Sequence, residues 1–163
     1  MSSKGSPVDD YRGKLDASGL RVAIVVSRFN AEVTDRLLDG ARAALDEHGA
    51  PADSVVVFGV PGAWELPQTA ARVVATGRFD AVVTLGCVIR GETPHFDYVC
   101  QHASLGLGQV AARSEIPVVF GVLTTDDLDQ ALARAREGAD NKGFEAATTA
   151  VEMVGVFRAV AGR

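Results

Sequence analysis

A cluster of polar residues follows an apolar run near the middle of the chain, where "FDAVVTL" gives way to "GCVIRGETPHF" (86–96). Within this cluster His95 is the best candidate for a general acid or base, because an imidazole exchanges protons near neutral pH. It follows a Thr-Pro pair, and proline is well placed to begin a helix. Free N–H groups at such a helix start, around Gly91, Glu92 and Thr93, would bind a phosphate. The stretch therefore predicts an anion site beside a proton donor.

Two arginines are candidate partners for the same anion. Guanidinium groups match a phosphate with paired hydrogen bonds, and Arg90 lies within the polar cluster while Arg134 follows the last predicted strand. For either arginine, a solvated place on the surface is the more common role. The sequence leaves both interpretations open.

Two large aromatic residues stand at the ends of other predicted strands. Phe29 lies in "SRFN" and Trp64 lies in "VPGAWELP", at positions expected to be near solvent. Stacking of the two rings on a flat heterocycle would explain their placement. The alternative is that each ring packs into the core or into a contact between subunits.

The remaining histidines indicate no second site. His48 falls at the end of the first predicted helix, where a cation suits the helix dipole, and His102 falls inside the third helix as a surface or interface residue. His95, Cys100 and His102 are zinc-ligand types, but a helix that puts the two histidines on one face turns Cys100 away. We therefore expect no metal site. Cys87 is expected to pack in the core.

The rest of the sequence predicts the elements that position these residues. Apolar runs rich in valine predict four strands, at 21–27, 54–60, 81–86 and 117–124. Apolar residues recur at helical spacing after each strand, and the last helix is predicted from about 142 to 159. This order predicts an α/β fold of the three-layer, flavodoxin-like class, with a four-stranded parallel sheet and helices on both faces. Ligands bind beyond the carboxyl ends of the strands in such sheets, and the polar cluster and both aromatic rings fall there.

Composition limits the partners and the compartment. The 163 residues have a net charge of −5 with acids and bases interspersed, so a nucleic-acid partner is not expected. No apolar run is long enough to span a bilayer, no secretory signal is visible, and two cysteines among apolar neighbours suggest reduced thiols. We expect a cytoplasmic protein with a mobile N-terminal arm (1–14) and a single domain (15–163).

Five stretches together resemble one enzyme family. In this order and spacing, "SRFN", "GVPGAWELP", "GCVIRGETPHFDYVC", "IPVVFGVLTT" and "NKGFEAATTAVEM" are similar to the 6,7-dimethyl-8-ribityllumazine synthases of riboflavin biosynthesis, over about residues 15–158. The resemblance implies condensation of 5-amino-6-(D-ribitylamino)uracil with 3,4-dihydroxy-2-butanone 4-phosphate. The expected products are the lumazine, phosphate and water. The family uses no metal or cofactor.

The resemblance also assigns roles to individual residues. His95 is implied to be the proton donor, and the phosphate loop is implied to include Gly91, Glu92 and Thr93. The pyrimidine and its ribityl chain are implied to contact Phe29, Asn30, Ala63, Trp64, Glu65, Cys87, Val88 and Ile89. An adjacent subunit is implied to supply Phe120, Arg134 and Lys142, with the arginine on the phosphate and the lysine near the pyrimidine.

The resemblance further implies self-association, with small molecules as substrates. A homopentamer is the expected assembly, and an icosahedral capsid is the alternative. The pentamer is preferred because the turn before the last helix, "REGADN" (136–141), departs from the "GTKAGN" that is typical of capsid-forming members. Two other functions stay open. One is the archaeal type of riboflavin synthase, which shares the fold, and the other is a flavin- or lumazine-binding protein without catalysis.

Overall fold

Strands and helices alternate through residues 9–163, which are the residues that the computed structural model describes. The strands are β1 (Val22–Ser27), β2 (Val55–Val60), β3 (Ala81–Ile89) and β4 (Val118–Thr125). The α-helices are α1 (Ala31–Glu47), α2 (Leu66–Ala75), α3 (His95–Arg113), α4 (Leu128–Arg134) and α5 (Lys142–Val160), with short 3-10 turns at Ala52–Ser54 and Ala63–Glu65. The predicted element order is confirmed.

The four strands form one parallel sheet in the order β2-β1-β3-β4. All six residues of the inner strand β1 are buried, and the side chains from Val22 to Val26 alternate between two hydrophobic clusters. Val22 and Ile24 pack with α1, α4 and α5, whereas Ala23 and Val25 pack with α2 and α3. Helices therefore cover both faces of the sheet, as the valine-rich runs predict.

Strand β3 is longer than the sequence predicts. The prediction ends the strand at residue 86, but Cys87, Val88 and Ile89 continue it by pairing with Leu123 to Thr125 of β4. On the other edge, β1 pairs with β3 only as far as Leu85. Along the part of the chain that is described, the end of β3 thus has one strand neighbour and one edge without a strand.

Helices α1 and α5 approach each other closely at a glycine. A Cβ at Gly143 would overlap the main chain of Leu37, so only glycine fits at this crossing. Next to it, the buried Asn141 side chain caps α5 by accepting from the N–H groups of Gly143 and Phe144, at 2.8 and 3.1 Å. This contact fixes where α5 begins.

The predicted N-terminal arm (1–14) falls only partly within the described residues, since residues 1–8 lie outside them. Gly13 lies against α5, where a Cβ would overlap the main chain of Glu152. The boundary at residue 14 stays a prediction. Within residues 9–163, no helix combines the length and the apolar character that crossing a membrane requires.

Candidate functional site

A cavity of about 620 Å³ opens at the carboxyl ends of β1, β2 and β3. We call it the strand-end cavity. It gathers most of the residues that the sequence singles out, namely Phe29, Asn30, Ala63, Trp64, Glu65, Cys87, Val88, Ile89, Gly91, Thr93 and His95. Glu92 is exposed and does not line it. Pro61, Gly62, Phe96 and Val99 complete the wall. The position of the cavity agrees with the rule for ligand sites in parallel sheets.

Both predicted aromatic residues are exposed at the rim of this cavity. Phe29 is 71% exposed and Trp64 is 49% exposed, so the alternative that they pack into the core is wrong for both. The Phe29 loop is held in place because its N–H donates to the carbonyl of Pro61 at 3.1 Å. Rings of this size that face solvent beside a cavity are suited to stack on a flat ligand.

Asn30 adopts a strained backbone conformation at the mouth of the cavity. Its φ of 62° and ψ of 46° lie in the left-handed region, which residues other than glycine enter rarely, and among residues 9–163 no other such residue has a positive φ. Its Nδ2 donates to the carbonyl of Cys87 at 2.8 Å, and its own carbonyl accepts from the N–H groups of Val33 and Thr34. These bonds hold the start of α1 against the end of β3, and strain held in this way is typical of functional sites.

Glu65 shapes the turn that carries Trp64. Its Oε2 accepts from the N–H of Gly62 at 2.9 Å, and its carbonyl accepts from the Thr69 hydroxyl at 2.8 Å. A carboxylate can accept several hydrogen bonds, so the group can still receive a bond from a ligand hydroxyl. The adjacent Ala63 is buried and anchors the turn in the core.

Cys87 lines the cavity but does not supply a reactive thiolate. The residue is 2% exposed, and burial raises the pKa of its thiol to about 11. The thiol is therefore neutral at physiological pH, as expected for a packing role. The end of β3 without a strand neighbour, from Cys87 to Ile89, can present main-chain donors and acceptors as the edge of a sheet does.

The turn between β3 and α3 positions His95. Pro94 is the N-cap residue and His95 is the first residue of α3, so the helix begins one residue after the proline that the sequence predicts to begin it. A Cβ at Gly91 would meet nothing within 4 Å, so the turn is open on that side. His95 and Phe96, the first two residues of α3, line the cavity beside Gly91 and Thr93, whereas the N–H of Asp97 already donates to the carbonyl of Pro94 at 3.0 Å.

Arg90, one of the two candidate phosphate partners, braces this turn. Its Nε donates to Asp126 Oδ1 at 2.9 Å, its Nη1 lies 3.6 Å from Asp97 Oδ1, and its guanidinium lies 4.4 Å from the centroid of the Phe96 ring. The hydrogen bond to Asp126 raises the pKa of the guanidinium. Because two carboxylates and a ring already engage this side chain, it ties the turn to β4 and α3.

The three residues expected from an adjacent subunit lie outside the strand-end cavity. Phe120, Arg134 and Lys142 line a separate groove of about 380 Å³, formed by β4, α4 and α5. We call it the edge groove, because β4 is an edge strand of the sheet. The Arg134 Nη1 donates to the carbonyl of Gln130 at 2.9 Å, and Lys142 Nζ lies 2.6 Å from Glu145 Oε2. The residues expected at one site thus lie on two separate surfaces of a single chain, the strand-end cavity and the edge groove.

His102 lies beside the site, which the sequence did not predict. Its ring stacks on the Trp64 indole, with centroids 3.6 Å apart and planes inclined by 19°. The available signal was its spacing from His95, because residues seven apart lie on one face of a helix. His48, by contrast, ends α1 as predicted, and its Nε2 lies 3.2 Å from the Thr148 hydroxyl.

Among the described residues, no group of three or more histidine, cysteine or acidic side chains is arranged to hold a metal ion. The fold and the cavity together define an α/β protein with a candidate ligand site at the carboxyl end of a parallel sheet. The family model for 6,7-dimethyl-8-ribityllumazine synthase matches residues 19–158, which is most of the chain. The chain belongs to the 6,7-dimethyl-8-ribityllumazine synthase family. Membership supports an enzyme of riboflavin biosynthesis that acts on small molecules and assembles into oligomers.

Proposed function

We propose that this protein condenses 5-amino-6-(D-ribitylamino)uracil with 3,4-dihydroxy-2-butanone 4-phosphate to form 6,7-dimethyl-8-ribityllumazine, with release of phosphate and water. The observation that carries the proposal is the strand-end cavity. It brings a proton-transfer group, an open turn at a helix start and two exposed aromatic rings to one place. Those are the features that a planar amine and a phosphorylated ketone require.

The pyrimidine binds in the strand-end cavity. Phe29 stacks on its ring, and the main chain of Cys87 to Ile89 pairs with its polar edge. The ribityl chain extends toward Trp64, and the Glu65 carboxylate accepts hydrogen bonds from its hydroxyl groups. In support, Phe29 and Trp64 are exposed at the rim, and Glu65 is already oriented by the N–H of Gly62.

The ketone phosphate binds at the corner where β3 passes into α3. Its phosphate accepts hydrogen bonds from the Gly91–Thr93 turn and is favoured by the dipole of α3. The guanidinium of Arg134 reaches the same phosphate from a second copy of the chain. Arg90 does not take this role, because its guanidinium is engaged by Asp126 and Asp97.

The reaction requires little activation of either substrate. The 5-amino group of the pyrimidine attacks the ketone carbonyl, and loss of water gives an imine. Deprotonation of the neighbouring carbon expels phosphate, and the product tautomerises to a new carbonyl group. The second amine of the pyrimidine attacks this carbonyl, and loss of water closes the ring. Holding the two reactants together supplies most of the acceleration.

His95 transfers protons in these steps. The residue lines the strand-end cavity at the first position of α3. From there it protonates the carbinolamine hydroxyl that leaves as water and assists the departure of phosphate. Since an amine and a ketone react readily once aligned, this contribution is smaller than that of proximity.

The proposed site requires two copies of the chain. The strand-end cavity and the edge groove have no lining residue in common, and Phe120, Arg134 and Lys142 belong to the groove. A ring in which each groove faces the cavity of its neighbour completes every site, and we propose a homopentamer for this assembly. Light scattering of the purified protein distinguishes a pentamer from an icosahedral capsid.

Incubation of the purified protein with both substrates tests the proposed function. Formation of the lumazine, followed by its absorbance, is the expected result. Riboflavin produced from the lumazine alone would instead identify a riboflavin synthase. Tight binding of lumazine or flavin without turnover would identify a binding protein, and either result would contradict the proposal.

A further inference from the structure

Trp64 is held from outside the cavity by a residue of the neighbouring helix. The 3-10 turn Ala63–Glu65 packs against α3, and the His102 ring of α3 stacks on the indole at a centroid distance of 3.6 Å. His102 Nε2 also lies 3.1 Å from the carbonyl oxygen of Trp64. Because a carbonyl oxygen only accepts, Nε2 carries the hydrogen and donates it. One side chain therefore contacts both the ring and the main chain of Trp64.

The stack determines how the indole is presented. Trp64 lines the strand-end cavity, whereas His102 does not, so the indole lies between the imidazole and the cavity. Trp64 is 49% exposed, and core packing alone does not fix so open a side chain. With one face covered by His102, the indole offers the cavity its other face and its edge.

From this arrangement we infer that His102 is a positioning residue for pyrimidine binding. It holds the Trp64 indole in the orientation that receives the ribityl chain, and it does so without contacting the substrate. The inference rests on the proposed function, since it concerns the same cavity. It adds a specificity determinant on α3 that acts only through the indole.

The His102–Trp64 stack should strengthen binding of the pyrimidine and not of the ketone phosphate. A fixed indole contributes wherever the ribityl chain binds, so its release weakens binding of the pyrimidine. The phosphate corner is built from the Gly91–Thr93 turn and does not include Trp64. Loss of the stack should therefore leave binding of the ketone phosphate and the chemical steps unchanged.

Fluorescence reports the position of the indole directly, because Trp64 is the only tryptophan in the sequence. In the protein without ligand, His102→Ala should increase acrylamide quenching of the emission and lower its anisotropy. His102→Phe keeps a ring in the stack and should restore both values to near those of the wild type. His48→Ala is the matched control, because it removes an imidazole that packs against α5, on the opposite face of the sheet.

Steady-state kinetics on the same variants tests the functional part. For His102→Ala we expect KM for the pyrimidine to rise about three- to tenfold, the range that one aromatic pair contributes. KM for the ketone phosphate and kcat should change less than about twofold, and His102→Phe should recover most of the loss. His48→Ala should leave all three constants unchanged.

The outcomes separate this inference from the proposed function. Unchanged quenching in His102→Ala, an equal rise of both KM values, or no recovery in His102→Phe would overturn the positioning role. A wild-type protein that forms no lumazine, but whose indole is released by His102→Ala, would refute the proposed reaction and retain the role of His102 in holding Trp64.

Discussion

Replacement of Gly40 by alanine should destabilise the protein when Asn141 is present and stabilise it when Asn141 is absent. Gly40 lies within α1, and a Cβ at this position would overlap Oδ1 and Cγ of Asn141 and come within 2.9 Å of its Nδ2. The Asn141 side chain is 1% exposed and donates from Nδ2 to the carbonyl of Arg36 at 3.1 Å. It can avoid the new methyl group only by breaking the bonds that fix the start of α5.

The magnitude follows from those bonds. Loss of the N-cap costs about 0.5–2 kcal/mol, and loss of the bond to Arg36 costs about 0.5–1.5 kcal/mol. Asn141→Ala should therefore lower the free energy of unfolding by about 1–3.5 kcal/mol. Displacement of the Asn141 side chain by Gly40→Ala should cost no more than the same amount. Alanine in a helix interior stabilises the helix by up to about 1 kcal/mol relative to glycine, which offsets part of this cost.

The expected signature is a change of sign between backgrounds. In the wild type, Gly40→Ala should be destabilising by up to about 2.5 kcal/mol. In the Asn141→Ala background the overlapping atoms are gone, so only the helix gain remains and the substitution should stabilise by up to about 1 kcal/mol. The coupling energy of the pair should be about 1–3.5 kcal/mol.

Urea unfolding followed by far-UV circular dichroism measures these energies. All variants are compared at one chain concentration, because assembly adds to the apparent stability. Gly108→Ala in α3 is the control, since a Cβ there meets nothing within 4 Å and its effect should be equal in both backgrounds. If Gly40→Ala has the same effect with and without Asn141, the reasoning from this contact is wrong.

The remaining predictions concern the site. His95→Ala should lower kcat by about 100-fold or less, because proximity supplies most of the acceleration. If the variant and the wild type have the same kcat from pH 6 to 8, His95 has no part in the mechanism. Burial raises the pKa of the Cys87 thiol to about 11 from 9.0. The neutral thiol therefore contributes fully to the stability of the folded state below pH 9, and this contribution is lost as the pH rises toward 11. In urea unfolding, Cys87→Ala should lose less stability than the wild type over that range. Iodoacetamide at pH 8 should modify the partly buried Cys100 faster than the buried Cys87. In steady-state kinetics, Arg134→Ala should raise KM for the ketone phosphate far more than KM for the pyrimidine, with partial recovery in Arg134→Lys; equal rises would place Arg134 away from the phosphate.

Much of the fold and the centre of the cavity could be predicted from the sequence. Valine-rich runs such as 21–27 are unambiguous, because a strand buried on both faces requires continuous apolar residues. Phe29 and Trp64 were identifiable because large rings are out of place in loops near solvent. Residues that conflict with their local surroundings thus pointed to the cavity.

Contacts between distant segments could not be predicted in the same way. The extension of β3 to Ile89 depends on pairing with Thr125, and the polar residues that follow suggested an earlier end. The sequence leaves the role of Arg90 open, because its partner Asp126 lies 36 residues away and only the fold brings the two side chains together. His102 has an ordinary place within α3, and only the packing of two elements reveals its stack on Trp64.

The central claim is that one site is built from two copies of the chain, with His95 from the strand-end cavity of one and Arg134 from the edge groove of the next. Co-assembly of His95→Ala chains with Arg134→Ala chains tests it most directly, with lumazine formation as the readout. In a random ring of equal parts, about a quarter of the interfaces carry both wild-type residues, so the hybrid should reach up to about a quarter of the wild-type activity and exceed either parent. A hybrid shown to contain both chains, yet no more active than the average of its parents, would contradict the shared site.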